Sequence, residues 1–167
     1  MLSADLSPAG IYVFNAGITP PASKQVEGET VTPTTDIASH VLELERVALE
    51  RWGRGDPEAY LAITADDISY FDPFLNERLD GKDSLRKWYN AFRSLRLVFD
   101  EIYEPRVQLL GDCAILTMQF ISHSSVGMVR WNCTEVYQKR GDAWLIIHTH
   151  WSPTKPPVRV PGRHSDN

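Results

Sequence analysis

The second half of the chain changes from helical to strand-like sequence, and this change constrains the fold more than any other feature. Four strand-like runs follow one another, separated by glycine-containing stretches at Gly111-Asp112, residues 124–127 and Gly141-Asp142. The runs are Val98 to Leu110, Ala114 to Ser122, Met128 to Lys139 and Trp144 to Ser152. Short turns between consecutive strands predict an antiparallel meander.

Helical segments come before the meander. Apolar residues recur at steps of three and four from Ile37 to Trp52, which predicts an amphipathic helix. Asp56-Pro57 opens a short second helix, the alternating aromatic run Ile68 to Phe74 predicts a strand, and a third helix follows residues 76–81. Helices followed by consecutive strands indicate an α+β fold with the helices packed on one face of the sheet.

One domain accounts for the length of the chain. We predict that it covers residues 35–153, because a single hydrophobic core usually serves about 100 to 150 residues. Residues 1–34 are rich in Pro, Ser, Thr and Gly and are expected to form a flexible N-terminal tail, in which Ile11 to Phe14 is the one strand-like run. Residues 154–167 contain several prolines and are expected to form a flexible C-terminal tail.

Charge and composition exclude several classes of partner. The formal net charge is -5 and no run of Lys or Arg occurs, so nucleic acid is not an expected partner. No apolar run reaches the roughly 18 to 20 residues that cross a bilayer, so we expect no membrane partner and a cytoplasmic location. Cys113 and Cys133 lie in apolar strand-like runs, which favours buried reduced thiols.

Three segments carry a resemblance to a known superfamily. They are Tyr70-Phe71-Asp72-Pro73 followed by Leu79 to Asp83, then Thr134 to Tyr137, and last Trp144 to Ser152 with its His-x-His. Together they resemble the nuclear transport factor 2-like superfamily, most closely the association domain of calcium/calmodulin-dependent protein kinase II and its stand-alone bacterial relatives. The resemblance implies a cone-shaped half-barrel, in which a curved antiparallel sheet curls around the long first helix and leaves a pocket at its open end.

The resemblance does not imply one function. The superfamily includes ketosteroid isomerase-like enzymes, SnoaL-like polyketide cyclases, scytalone dehydratase, limonene epoxide hydrolase and non-catalytic oligomerisation modules. None of the functions that we derive from the resemblance requires a cofactor, so we expect none. Function has to be argued from the residues that face the pocket.

Strict alternation divides the last strand into two faces. One face carries Trp144, Ile146, His148, His150 and Ser152, and the other carries Leu145, Ile147, Thr149 and Trp151. In kinase association domains, pocket arginines occupy the positions that here are Glu135 and Trp151, with a third near Phe120. The resemblance thus places Trp151, Thr149, Glu135, Cys133 and Trp131 inside, unless a bulge exchanges the two faces.

The loss of these cations favours a neutral or weakly cationic, apolar or aromatic small-molecule ligand. The candidate ligand-binding residues are Trp151, Trp131, Phe120, Trp88, Tyr70 and Thr149. Each tryptophan can equally be a core residue.

Two carboxylates are the first candidates for catalysis. Glu135 would lose hydration among aromatic rings, which raises its pKa toward the range useful for proton transfer; the alternative is a cross-strand salt bridge to Arg130 or Lys139. Asp72 stands at a strand end and would point into the mouth of the cone, near Trp88 or Tyr89. Its alternative role is to form the turn before Pro73.

His148 and His150 are the other catalytic candidates. Alternate strand residues share a face, which is the spacing of a metal-binding pair, but a metal needs at least one further ligand and only His123 is near in the predicted sheet. We therefore predict no metal site. Histidines hydrogen-bonded in the core or an interface and a catalytic histidine remain as alternatives.

Two functions of different classes fit these residues. The first is a cofactor-independent enzyme of the SnoaL or ketosteroid isomerase type (isomerase, cyclase, dehydratase or hydrolase), in which a desolvated carboxylate moves a proton next to a carbonyl. The second is a non-catalytic ligand-binding or oligomerisation module. A carboxylate converging with a second carboxylate or a histidine in one cavity favours the enzyme, and a purely apolar lining favours the module.

A homodimer is also expected. If Trp151 points inward, Trp144, Ile146 and His148 lie on the outer face of the sheet and need cover. Sheet-to-sheet pairing would provide it, and the dimer could assemble into higher homo-oligomers.

Overall fold

The computed structural model describes residues 33–94, 96–99, 102–124 and 127–154, together with the backbone of two short segments nearer the N-terminus. The helices are α1 (Pro33–Gly53), α2 (Glu58–Ala62) and α3 (Lys82–Asn90). The strands are β1 (Asp5–Leu6), β2 (Tyr12–Asn15), β3 (Thr64–Phe71), β4 (Leu79–Asp80), β5 (Val98–Phe99), β6 (Tyr103–Leu110), β7 (Cys113–Ser124), β8 (Gly127–Arg140) and β9 (Ala143–Pro153).

The described strands form one sheet in the order β1-β2-β6-β7-β8-β9-β3-β4, and β5 pairs with β7. The predicted meander from β6 to β9 is antiparallel throughout. The α+β class is confirmed, but the sheet is mixed, because β3 pairs with β9 in parallel. No tight turn sets the relative direction of these two strands, since α3 and five further strands separate them along the chain.

Helix α1 supplies the helical side of the core. It begins at Pro33, at a position where the missing N–H of proline has no helical partner to lose, and Arg51 lies in its last turn. Val41, Ala48 and Leu49 are buried, at the spacing of one helix face, and α1 contacts β6 and β7. The helix therefore covers the concave face of the sheet.

A bulge in β9 changes the predicted inner face. Tyr137 pairs with Ile146 while the neighbouring Val136 pairs with His148, so Ile147 is an extra residue in β9. Side chains on both sides of this bulge consequently point inward: Trp144 and Ile146 before it, Thr149 and Trp151 after it. The prediction that Trp144 and Ile146 lie on the outer face is wrong.

Two short strands come from the predicted N-terminal tail. Tyr12–Asn15 pairs antiparallel with β6, and Asp5–Leu6 pairs with Tyr12–Asn15. The run Ile11 to Phe14, singled out from the sequence, overlaps the first of these. The division of the chain into a domain at 35–153 and two flexible tails stays a prediction, because most of residues 1–34 and all of residues 155–167 lie outside the described residues.

Two further expectations concern membranes and thiols. No helix in the described part of the chain has both the length and the hydropathy that a bilayer crossing requires. Cys133 is buried and Cys113 half-buried, and both are free thiols.

Candidate functional site

A cavity of about 270 Å³ opens between the helices and the concave face of the sheet. Most of the described side chains that line it are aromatic. They are Trp52, Tyr60, Tyr70, Phe74, Trp88, Tyr89, Phe92, Phe120, Trp131 and Trp151, joined by Leu49, Asp72, Leu97, Ser122, Ser124 and Val129. None of these described lining residues is basic, and Asp72 is the one acid among them.

Asp72 is held in place by two hydrogen bonds. The Tyr70 hydroxyl donates to Oδ2 at 2.8 Å, and the Phe74 backbone N–H donates to Oδ1 at 2.9 Å. Burial raises the pKa of the Asp72 carboxyl above its ordinary value, and the two donated hydrogen bonds only partly offset this. Asp72 therefore holds a proton more readily than an exposed aspartate.

Three tyrosines continue from Asp72 along one wall of the cavity. The ring centroids of Tyr70 and Tyr89 are 5.7 Å apart, and those of Tyr89 and Tyr60 are 6.4 Å apart. We call Tyr60, Tyr70 and Tyr89 the tyrosine wall. Burial, as the largest cause, raises the pKa of all three hydroxyls well above the ordinary value, so the wall stays protonated at any ordinary pH.

The opposite side of the cavity is built on β7 and β8. The Trp131 indole N–H donates to Oγ of Ser122 at 2.9 Å, so Ser122 accepts here and keeps its own hydroxyl hydrogen to donate. Phe120 stacks on Trp131 with ring centroids 6.2 Å apart. The ring centroids of Phe74 and Trp131 are 6.2 Å apart. Phe74 is 67% exposed and therefore marks the solvent-facing end of the cavity.

Two glutamates lie beneath the tyrosine wall, outside the described lining. Glu45 of α1 accepts a hydrogen bond from the Tyr60 hydroxyl at 2.6 Å. The Tyr137 hydroxyl lies 3.0 Å from Oε2 of Glu45 and 2.9 Å from Oε2 of Glu135. Thr149 donates to the other oxygen of Glu135 at 3.3 Å, and both glutamates are at most 1% exposed.

The two glutamates lie close together and share the Tyr137 hydroxyl. Burial first, and then the neighbouring Glu45, raise the pKa of Glu135 well above its ordinary value, so Glu135 holds a proton more readily than an exposed glutamate. No salt bridge to Arg130 or Lys139 is found for Glu135 in the described structure, where its partners are hydroxyl and carboxyl groups.

The sequence-predicted site residues fall into three groups. Asp72 and five of the predicted ligand-binding residues line the cavity, namely Tyr70, Trp88, Phe120, Trp131 and Trp151. Thr149 and Glu135 are buried, but neither is among the described residues that line the cavity, where the resemblance had placed them. Glu135 is instead hydrogen-bonded to Tyr137 and Thr149.

His148 and His150 form the third group, on the outer face. His148 Nδ1 lies 2.8 Å from Oγ of Ser69. Phe71 packs against both histidines, with its ring centroid 6.1 Å from that of His148 and 5.6 Å from that of His150. Burial, followed by His150 and Arg78, lowers the pKa of His148. Neither histidine is among the cavity-lining residues, and the described residues contain no group of three or more His, Cys, Asp or Glu that could hold a metal ion.

Sequence reasoning missed Glu45, Tyr60 and Trp52. The burial of Glu45 could have been predicted from helical spacing, because it lies four residues after Val41 and four before Leu49 on the buried face of α1. A glutamate in an apolar stripe indicates a buried partner. Tyr60 and Trp52 gave no such signal, since aromatic residues at helical spacing are typical of any core.

This fold is found in solved structures of related proteins. A candidate ketosteroid isomerase from Parabacteroides distasonis ATCC 8503 is 36% identical, covers 77% of this chain and 96% of its own, and has a TM-score of 0.66. A candidate dehydratase of the nuclear transport factor 2-like family from Streptomyces avermitilis is 22% identical over 75% of this chain and 100% of its own, with a TM-score of 0.62. The calcium/calmodulin-dependent protein kinase II hub of S. rosetta is 21% identical over 70% and 95%, with a TM-score of 0.58.

The chain thus has a nuclear transport factor 2-like fold, as the resemblance in the sequence implied. The family model of the calcium/calmodulin dependent protein kinase II association domain matches residues 38–155. The chain belongs to this association-domain family. No curated protein matches it.

Proposed function

We propose that this protein is a cofactor-independent enzyme that moves a proton next to the carbonyl group of a small, largely apolar or aromatic compound, with Asp72 as the base. The observation that carries the proposal is the position of Asp72, which makes the aromatic cavity other than purely apolar, although no second carboxylate and no histidine is among the described lining residues. The raised pKa of Asp72 brings it closer to the pH at which a general base works best.

The proton transfer needs two groups. Ionised Asp72 takes a proton from the carbon next to the carbonyl, which leaves an enolate and a neutral Asp72, and the same proton returns to that carbon or to another carbon of the enolate. Ser122 is the candidate donor to the enolate oxygen, because its oxygen accepts from Trp131 and its own hydrogen can be given to the ligand. The contact between Phe74 and Trp131 joins the loop after Asp72 to the strands that carry Ser122.

The test uses 2-tetralone, a neutral bicyclic ketone with exchangeable C–H groups next to its carbonyl. We expect the protein to accelerate their exchange with D₂O, followed by NMR, and Asp72→Asn to reduce the rate by about 10² to 10⁴-fold. Asp80→Asn, an equal charge change at an exposed ion pair with Arg78, is the matched control and should stay within twofold. Equal exchange by Asp72→Asn and the parent protein would refute Asp72 as the base.

A second candidate function is a non-catalytic, ligand-binding homo-oligomer. It is favoured by membership of the association-domain family and by half-buried apolar side chains on the outer face, such as Ile115, Val136 and Leu145. This replaces the argument for a dimer that relied on Trp144 and Ile146. Sedimentation velocity at micromolar concentration should show a dimer or larger species, and a monomer alone would contradict assembly.

The two candidates separate in one measurement. A protein that binds 2-tetralone by calorimetry but exchanges its protons no faster than buffer is a binding module. A protein that binds and exchanges is an enzyme, whatever its oligomeric state.

A further inference from the structure

The cavity combines aromatic walls with negative charge and lacks positive charge among its described lining. Trp52, Trp88, Trp131 and Trp151 line it together with the tyrosine wall, and the faces of such rings carry partial negative charge. The one ionisable acid of the lining, Asp72, adds a full charge when it is ionised. Such a site has no group that would compensate an anionic ligand.

Two more carboxyl groups lie directly behind the tyrosine wall. The Tyr60 hydroxyl joins the cavity wall to Glu45 at 2.6 Å, and the Tyr137 hydroxyl lies within 3.0 Å of both Glu45 and Glu135. No basic residue is hydrogen-bonded to either glutamate in the described structure. After burial, Glu135, Glu45 and Asp72 each raise the pKa of Tyr89, which lines the cavity, so all three carboxyl groups lie near this wall.

We propose that the cavity selects organic cations, that is, compounds with an apolar body and one ammonium group. An ammonium group against aromatic faces gains about 0.5 to 2 kcal/mol from the ring quadrupoles, and the gain grows when the group is desolvated. Ionised Asp72 adds electrostatic attraction at the cavity wall, which is stronger at a partly buried site than in bulk water. This inference rests on the proposed ligand-binding role of the cavity and names the charge of its substrate class.

The test compares choline with 3,3-dimethylbutan-1-ol, which has the same shape but carries carbon in place of the positively charged nitrogen. Calorimetry at fixed pH and ionic strength measures both affinities. We expect choline to bind at least about tenfold more tightly, because the alcohol lacks both the cation–π and the carboxylate attraction.

Two variants identify the source of the preference. Asp72→Asn keeps the shape and removes the charge, and should lower choline affinity by about tenfold or more while leaving the alcohol within about twofold. Trp88→Leu, at a half-buried position of α3, replaces the aromatic ring with an apolar side chain. This variant should lower the affinity for choline more than the affinity for the alcohol. Asp80→Asn, on the exposed surface, should change neither affinity by more than about twofold, because salt screens its charge.

Each outcome bears on the inference separately from the proposed enzyme. Equal binding of choline and the alcohol, or binding of 2-tetralone alone, would overturn cation selectivity and leave the proton-transfer proposal standing. Binding of none of the three compounds would overturn both, because the cavity would not be a ligand site. Preferred choline binding without any ketone exchange would support the inference and point to the binding module.

Discussion

Asp72 and the Glu45–Glu135 pair are both carboxyl groups held by tyrosine hydroxyls, but they lie at different depths. Asp72 is half-buried, lines the cavity and has one tyrosine partner, Tyr70. The glutamates are almost fully buried and bonded to Tyr60, Tyr137 and Thr149. The comparison teaches that a raised pKa alone does not identify a reactive group, since only Asp72 can be reached by a ligand.

The deeper pair should matter most for stability. Glu45→Leu replaces the carboxyl group with an apolar side chain of similar size. The buried hydroxyls of Tyr60 and Tyr137 then lose this hydrogen-bond acceptor. We expect a loss of about 2 to 5 kcal/mol in the free energy of unfolding, measured by urea denaturation. Glu43→Leu, on the exposed side of the same helix, is the control and should stay within about 0.5 kcal/mol. An equal loss in both variants would mean that the network does not stabilise the fold.

Glu135 should make stability depend on pH. Between its ordinary pKa of 4.5 and its raised value, folded protein holds one proton more than unfolded chain, so this group's contribution falls as pH rises. Glu135→Gln preserves shape and removes the titration. Relative to the variant, the parent should lose up to about 1.4 kcal/mol per pH unit in this window. Parallel curves for parent and variant would show that Glu135 has no raised pKa.

A pair of tyrosine variants separates the two regions. Tyr60→Phe and Tyr137→Phe each remove one hydroxyl from Glu45, but only Tyr60 lines the cavity. We expect each to cost about 1 to 2 kcal/mol of stability. Both should bind choline within about twofold of the parent, because the Tyr60 ring remains. If Tyr60→Phe weakens binding as strongly as Asp72→Asn, the division between a structural and a ligand-binding region fails.

Much of the fold could be predicted from local sequence. The turns at Gly111 and Gly141 predicted the β6–β7 and β8–β9 hairpins, because strands joined by a short connection pair antiparallel. The parallel pairing of β3 with β9 could not be predicted in this way. It joins residues such as Tyr70 and Thr149, which no local pattern relates.

The site was predictable only in part for the same reason. Asp72 was found because it follows the end of a strand, and Trp151 because the resemblance to association domains placed its face of the last strand inside. The extra residue Ile147 reversed the alternation of β9 for Trp144 and Ile146, and no proline or glycine marks it in the sequence. The partners of Glu135 are Tyr137 on β8, Thr149 on β9 and Glu45 on α1, so its depth depended on packing between distant segments.

Carboxyl titration of the labelled protein by carbon NMR, with and without choline, tests the central claim most directly. We predict that Asp72 titrates above its ordinary range in the free protein and that its midpoint falls when choline binds, because a nearby cation favours the ionised form. The midpoint of Glu135 should also lie above its ordinary value but change little on binding. If the titration midpoint of Asp72 does not change when choline binds, while the midpoint of Glu135 does, the account is contradicted.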